Sequence, residues 1–313
     1  MEIKYRTVPL VLRKYEALAR RLRRGHPKWA EVQYELAKRR KGYAGEKKVD
    51  YYLRMLASKF TILHDVCLNV NGQTFQMDNL IITPHAIYII DVKSYHGSIN
   101  FDHILKQSIH ADGKTERGYM YPITQVELQQ YKLQQWLLEQ SLPSIPIYHF
   151  VAISEPSTSI HVKGDEEAVA KIVGHGEDMP RRILHQEELL TNGPVFQHQQ
   201  ICYAIKNNCV EFDLDVMDIH QLNQSDLQQG VFCPECGYLG IPRTHSGWYC
   251  HQCQKKYRNA HMPAIDDYLL LVKPRIRNSE CMEWLKVNSR STITRILQNS
   301  DLLYDAKRRW WMK

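Results

Sequence analysis

Two groups of residues in this 313-residue chain have the types and spacing for chemistry. Cys233-Pro-Glu-Cys236 and Cys250-His-Gln-Cys253 form two CxxC knuckles with thirteen residues between them. Each knuckle can offer two thiolates to one tetrahedral Zn²⁺, and four thiolates leave no open position. Such a zinc is structural rather than catalytic. Two disulfides are the alternative, which a reducing compartment disfavours. The second group is Asp78, Asp91 and Lys93. Two acids beside an ammonium suit a hard divalent cation, Mg²⁺ or Mn²⁺, that takes oxygen ligands and retains waters. The plainer alternative is a strand end where Asp91 and Lys93 meet solvent and Asp78 pairs with a nearby base.

The elements around these acids decide between the two. Asp78 and Asp91 lie on β-runs that flank Thr83-Pro84-His85-Ala86, a plausible turn. Folding the hairpin about Pro84 and His85 sets Asp78 opposite Asp91, with Cβ atoms about 4.5–5.5 Å apart on one face. Lys93 shares that face by the two-residue period of a strand. Leu80, Ile81, Ile82, Ile87, Ile89 and Ile90 are apolar on both faces, which predicts a central strand pair. Acids beside such a core repel each other and cost desolvation unless a cation compensates. Upstream, Gly42 and Gly45 bracket the entry to a helix over about 45–58. Glu46, Val49, Leu53, Leu56 and Phe60 follow helical spacing there, so Glu46 heads an apolar stripe. Downstream, Gln125 opens a helix over 124–140; its amide can orient a phosphate or a ligating water, or sit in solvent.

Further strands are expected over 60–68, 74–82, 86–93, 97–101, 147–154 and near 171–173, with helices near 181–190 and 197–208. This is an α/β pattern. Before it, residues 10–40 read as basic helices broken at Gly25-His26-Pro27.

Gly42-Tyr-Ala-Gly45-Glu46, Met77-Asp78-Asn79-Leu80-Ile81-Ile82, Tyr88-Ile89-Ile90-Asp91-Val92-Lys93-Ser94-Tyr95-His96-Gly97 and Pro122-Ile-Thr-Gln125 together resemble a nuclease-related (NERD) domain of the PD-(D/E)xK nuclease-like superfamily. The resemblance covers roughly residues 40–155. It implies a restriction-endonuclease-like mixed sheet flanked by helices and a metal-dependent phosphodiesterase site. It also implies metal binding at Asp78 and Asp91, a supporting acid at Glu46, the catalytic lysine at Lys93 and an accessory polar role for Gln125. The Val92 carbonyl is a further potential ligand. Many family members carry Glu where this chain has Asp91, one methylene shorter.

The C-terminal part adds two small modules. Tyr238, Leu239, Ile241, Trp248 and Tyr249 between the knuckles suit a zinc ribbon, and Lys255 and Lys256 beyond them can touch nucleic acid. A protein-contact or spacer role is the alternative for the ribbon. Residues 279–285, with Ser279 as N-cap, and 290–297 read as two short helices across a tight turn. Ile293, Ile296 and Leu297 face inward there, and Arg290 and Arg295 outward. With Lys307-Arg308-Arg309-Trp310-Trp311 behind them, they look like a helix-turn-helix with a vestigial wing. The expected layout is a basic helical arm (1–40), the nuclease-like core (41–155), an extension or connector (156–228), the ribbon (229–260) and the basic tail (261–313).

The charge follows the same layout. The net +7 hides fifteen Lys and Arg against five Glu in residues 1–48, ten basic against four acidic residues in 270–313, and an acidic middle. Basic ends suit a polyanion, nucleic acid, with DNA ahead of RNA. At 43% hydrophobic residues the chain can fill a core, which excludes extensive disorder. No membrane-length apolar run or signal peptide is present, so a cytoplasmic location is the default. Three functions fit: a metal-dependent nuclease, a non-catalytic nucleic-acid-binding regulator on the same scaffold, or a protein-binding scaffold.

Overall fold

The computed structural model describes residues 1–113 and 115–313. The chain divides into two compact units, residues 1–9 with 38–212 and residues 10–37 with 213–313. The segment expected as a separate arm, 1–40, is thus shared between the units. It holds strand β1 (Glu2–Lys4), helix α1 (Leu10–Arg21) and the start of helix α2 (Trp29–Leu53).

The helix expected to begin near Gly45 is instead the second half of α2, which runs through both glycines. A Cβ on Gly45 would lie 2.7 Å from Ser154 Oγ and 2.8 Å from Ser94 Cβ. Gly45 therefore permits a close approach of the helix to neighbouring chain rather than marking an end. Gly42 has nothing within 4 Å; the helix absorbs it at a cost of about 1 kcal/mol.

The first unit continues with β2 (Thr61–Val70), β3 (Gln73–Ile82), β4 (Ile87–Lys93), β5 (Ser98–Asp102), β6 (Gln107–Ala111), β7 (Glu116–Met120) and α3 (Pro122–Glu139). It closes with β8 (Ile147–Ile153), β9 (Ser159–Lys163), α4 (Glu166–Ile172), β10 (Val173–His175), α5 (Met179–Leu190) and α6 (His198–Asn208). The main sheet is mixed, in the order β1-β2-β3-β4-β8-β10. β2, β3 and β4 run antiparallel, while β4, β8 and β10 run parallel.

Both faces of its central strands are covered. Leu80, Ile82, Ile87 and Ile89 pack with Leu133, Trp136, Ile201 and Ile205 of α3 and α6. Ile81, Tyr88 and Ile90 pack with Val49, Leu53, Met179 and Ile183 of α2 and α5. Near-continuous Ile is what such a doubly covered strand requires. A second sheet, β7-β6-β5-β9, carries Ile99 and Phe101 against Tyr121, Ile123 and Val151.

The second unit contains, besides α1, the short helix α7 (Val216–Ile219) and strands β11 (Arg243–Thr244), β12 (Gly247–Cys250) and β13 (Lys255–Tyr257). Then come α8 (Met262–Leu271), β14 (Arg275–Ile276), α9 (Asn278–Leu285), α10 (Arg290–Gln298), β15 (Leu303–Asp305) and β16 (Trp310–Met312). β11-β12-β13 form the ribbon sheet, and β14-β16-β15 form another three-stranded sheet. The order helix, strand, two helices, hairpin is that of a winged helix. The wing expected as vestigial is therefore fully built.

α9 starts one residue before the expected Ser279 cap, because the Glu280 carboxylate accepts the Arg277 N–H at 2.8 Å. α10 does begin after a serine, Ser289, whose side chain accepts from the Thr292 N–H. Among the described residues no helix is long and apolar enough to cross a membrane.

Candidate functional site

The hairpin of β3 and β4 has the expected register: Asn79 pairs Ile90 and Ile82 pairs Ile87, with Thr83 N donating to Ala86 O at 3.0 Å. The ladder stops one residue short of the two acids. There Asp78 Oδ2 accepts the Val92 N–H at 2.7 Å, so its side chain replaces a backbone partner. On the other side of β3 the ladder skips Asp65, which has a left-handed φ of 52°. Among residues with a Cβ, Asp and Asn are the ones that adopt that conformation singly. The sheet is thus irregular where the acids gather.

Around Asp91 the contacts are dense. Lys93 Nζ lies 2.7 Å from Asp91 Oδ2. Gln125 donates to Asp91 Oδ1 at 3.1 Å and accepts from Lys93 Nζ at 2.9 Å. The first turn of α3 thus brings Gln125 onto both charged groups. Gln129, one turn further, donates to Asp91 Oδ1 at 3.3 Å and to the Gln76 carbonyl at 3.0 Å. Asp91 Oδ2 is buried, and the Lys93 ammonium is the donor beside it.

Glu46 reaches the same region from α2, and its partner was not anticipated. Arg6 Nη1 donates to Glu46 Oε2 at 2.5 Å, and Arg6 Nε to Asp50 Oδ2 at 2.6 Å. Arg6 Nη2 donates to Asp50 Oδ1, Asn79 Oδ1 and the Asp78 carbonyl at 2.8–3.0 Å. Only 4% of the Arg6 side chain is exposed. His64 Nδ1 completes the cluster, 2.6 Å from Asn79 Oδ1 and 3.2 Å from Asp50 Oδ1.

The electrostatics follow from this crowding. Burial pushes the Asp78 carboxyl well above the usual carboxylate range, and the charges of Asp91 and Glu46 push it further. Burial also raises Glu46; Arg6 opposes this, while Asp65, Asp50 and Asp91 add to it. Burial works against the Lys93 ammonium, but Asp91 and Asp78 outweigh it and hold it above its ordinary value. Negative charge is therefore left under-compensated at Asp78 and Glu46. That excess of negative charge fits a cation held by Asp78 and Asp91.

Missed in the sequence were Arg6, Asp50 and Gln129. Asp50 and Gln129 each follow an expected residue, Glu46 and Gln125, by four positions on a helix, and that spacing is the signal that finds them. Arg6 sits in a short segment far away in sequence and has no such signal.

In the second unit, the Sγ atoms of Cys233, Cys236, Cys250 and Cys253 all lie within 4.8 Å of one another. Among the described residues no other group of three or more such donors meets that limit. The four thiols can hold a structural metal such as zinc. Burial opposes ionisation of the Cys233 thiol, but the N–H groups of Cys236 and Glu235 pull it down to about 6.

The basic residues of this unit differ in their freedom. Lys255 is tied to Glu235 at 2.7 Å, which Tyr257 also contacts, and Lys256 is exposed. Arg290 and Arg295 are exposed on α10, while Lys307, Arg308 and Arg309 form the exposed tip between β15 and β16. Arg20 and Arg21 of α1 are not free: both bind Asp267, and the fully buried Arg21 also donates to the Gln228 and Gly230 carbonyls. Trp311 is buried in the wing sheet and Trp310 stacks on Arg275 at 3.9 Å, so both rings serve the fold.

Residues 41–154 match the family model of NERD, the nuclease-related domain. An uncharacterized protein of Bacillus anthracis is 30% identical over 112 residues, covering 35% of this chain and 52% of that protein. The chain thus spans about half the length of the curated relative it matches. No solved structure matches. The family match points to a nuclease-like function for the segment that carries Glu46, Asp78, Asp91, Lys93 and Gln125.

Proposed function

We propose that the first unit is a metal-dependent phosphodiesterase acting on nucleic acid, with the zinc ribbon and winged helix as nucleic-acid-binding modules. The observation that carries this reading is the convergence of Asp78, Asp91, Lys93 and Gln125 at the irregular end of one hairpin, with the negative charge of Glu46 acting on Asp78. Asp78 and Asp91 would hold Mg²⁺ or Mn²⁺, which supplies an acidified water and a contact to a phosphate oxygen. Lys93, kept charged by the two acids, is suited to stabilise charge on the phosphate. Gln125 fixes Lys93 and Asp91 together, and Gln129 holds the second turn of α3 to Asp91. Glu46 is held by Arg6 and acts as the supporting acid.

The purified protein with Mg²⁺ or Mn²⁺ should cleave at least one of single-stranded, double-stranded or branched DNA, or RNA. Asp91→Ala and Lys93→Ala should each abolish cleavage. Equal cleavage by wild type and both variants would refute the assignment.

A second reading, a nucleic-acid-binding regulator without turnover, has its own support. Arg6 and Lys93 already supply two positive charges among these acids. Metal titration separates the two: a Mn²⁺ site lost in Asp78→Ala supports the enzyme, and nucleic-acid binding without such a site supports the regulator.

A further inference from the structure

The second unit contains a cleft of about 1130 Å³ between the ribbon hairpin and the helix-turn-helix. Four cationic side chains line it: Arg243 and Arg258 from the ribbon, Lys286 from the turn between α9 and α10, and Arg295 from α10. No Asp or Glu lines it, and neither does any Phe, Tyr or Trp.

The cations are not neutralised within the fold. Arg243 Nε and Nη1 are buried without a hydrogen-bond partner. Burial and then the nearby Arg295 make the Arg243 charge harder to keep. Leaving a guanidinium N–H buried and unpaired costs about 1–3 kcal/mol, so this wall is built for an anion that arrives from outside. Ser289, the N-cap of α10, and Thr292 in its first turn add hydroxyls to the same cleft. The helix N-terminus supplies further partial positive charge.

We propose that this cleft holds a strand of nucleic acid by its phosphodiester backbone, so that ribbon and α10 act as one clamp. The rings in the lining are His245 and His261, with no Phe, Tyr or Trp platform for stacked bases, so the four cations favour backbone over base. The volume exceeds the roughly 300–1000 Å³ of most small-ligand pockets, which suits consecutive phosphates better than one. Arg243 and Arg258, rather than Lys255, are then the ribbon's contribution. The proposal rests on the nucleic-acid-binding part of the proposed function and not on turnover.

Lys286 offers a clean test. It has φ 57° at the end of α9, a conformation that favours glycine, so Lys286→Gly removes the charge while relieving the backbone. Binding of labelled single- and double-stranded oligonucleotides to the zinc-loaded full chain would be followed by anisotropy across a salt series, without added Mg²⁺. Lys286→Gly combined with Arg258→Gln should weaken binding about tenfold and reduce the salt slope by about two, near the 0.9 expected per lost phosphate contact.

A wing-tip variant, Lys307→Gln with Arg308→Gln and Arg309→Gln, serves as the comparison. Unchanged affinity and slope in the cleft variant, with weakened binding in the wing variant, would overturn the clamp but keep nucleic-acid binding. No binding by the wild type at any salt would overturn both. Full displacement by inorganic pyrophosphate or a mononucleotide at equal affinity would overturn the strand in favour of a small phosphorylated ligand.

Discussion

Arg6 is the residue on which the acidic cluster depends. Burial acts to raise the Asp50 carboxyl, but hydrogen bonds from His64 and Arg6 outweigh it and lower its pKa. Asp50 therefore contributes stability that is present above its unfolded pKa and is lost as pH falls through the lower folded value. Arg6→Met would leave Glu46 and Asp50 buried without their guanidinium, a change that costs about 3–5 kcal/mol when a buried pair is broken. The pH dependence should also steepen. Glu46 and Asp78, already raised, cost the wild type stability as pH increases above about 4, and without Arg6 both Glu46 and Asp50 rise further, so the variant should lose more stability than the wild type between about pH 4 and 7. Urea unfolding at several pH values checks this; a variant with wild-type stability at pH 7 would remove Arg6 from this role. The candidate site residues were legible because each sat in a patterned element: Asp78 and Asp91 by hairpin symmetry, Glu46 and Gln125 by helical position. Arg6 was not, because no local period ties residue 6 to residue 46 or 78.

The same helix, α2, makes opposite predictions at two glycines three residues apart. Gly42→Ala, in open space, should stabilise the protein by about 0.5–1 kcal/mol, since alanine is the better helix former. Gly45→Ala should destabilise it by about 1–3 kcal/mol, since the new methyl meets Ser94 and Ser154 below 3.0 Å. Thermal unfolding of the two variants should shift in opposite directions, and shifts of one sign would mean that the close approach at Gly45 is not maintained. The sequence suggested that the two glycines bracket the entry to a helix, because glycine punctuates in either case and only the tertiary neighbour distinguishes the uses. The strands of the main sheet were readable from runs such as Ile87-Tyr-Ile-Ile90. β6 and β7, Gln107–Ala111 and Glu116–Met120, were not, because most of their residues are polar or exposed and neither alternation nor a buried run marks them. The wing was underestimated for a related reason: its strands are three residues long or shorter.

At the scale of the whole chain, the second unit is assembled from residues 10–37 and 213–313. Its internal anchor is Arg21, which joins α1 to Asp267 of α8 and stacks over Phe232 and Trp284 at 4.7 and 4.9 Å. A fragment of residues 213–313 alone would leave Asp267 buried without its partner and uncover the surface that Leu12, Tyr15 and Leu18 fill. That fragment should be rapidly proteolysed even with zinc bound, whereas a fusion of residues 10–37 to it through a flexible linker should resist. Equal resistance of both would show that α1 is dispensable to this unit. The net basic charge of the first 48 residues also changes meaning at this scale. Arg6, Lys14, Arg20 and Arg21 are spent on Asp and Glu partners inside the fold. Arg23, Arg24 and Lys47 of that stretch remain exposed, and in the second unit α10 and the wing tip add further exposed basic groups.

The split composition of that unit has a consequence for how the protein is made. A ribosome delivers α1 early and Asp267 late, with residues 38–212 emerging in between. Through that interval Arg21 and the apolar stripe of α1 have no native partner, and the first unit can complete itself while the second waits for residues 213–313. The nascent chain therefore carries an unpartnered, positively charged amphipathic segment while residues 38–212 are made, and chaperone capture during translation should fall on α1.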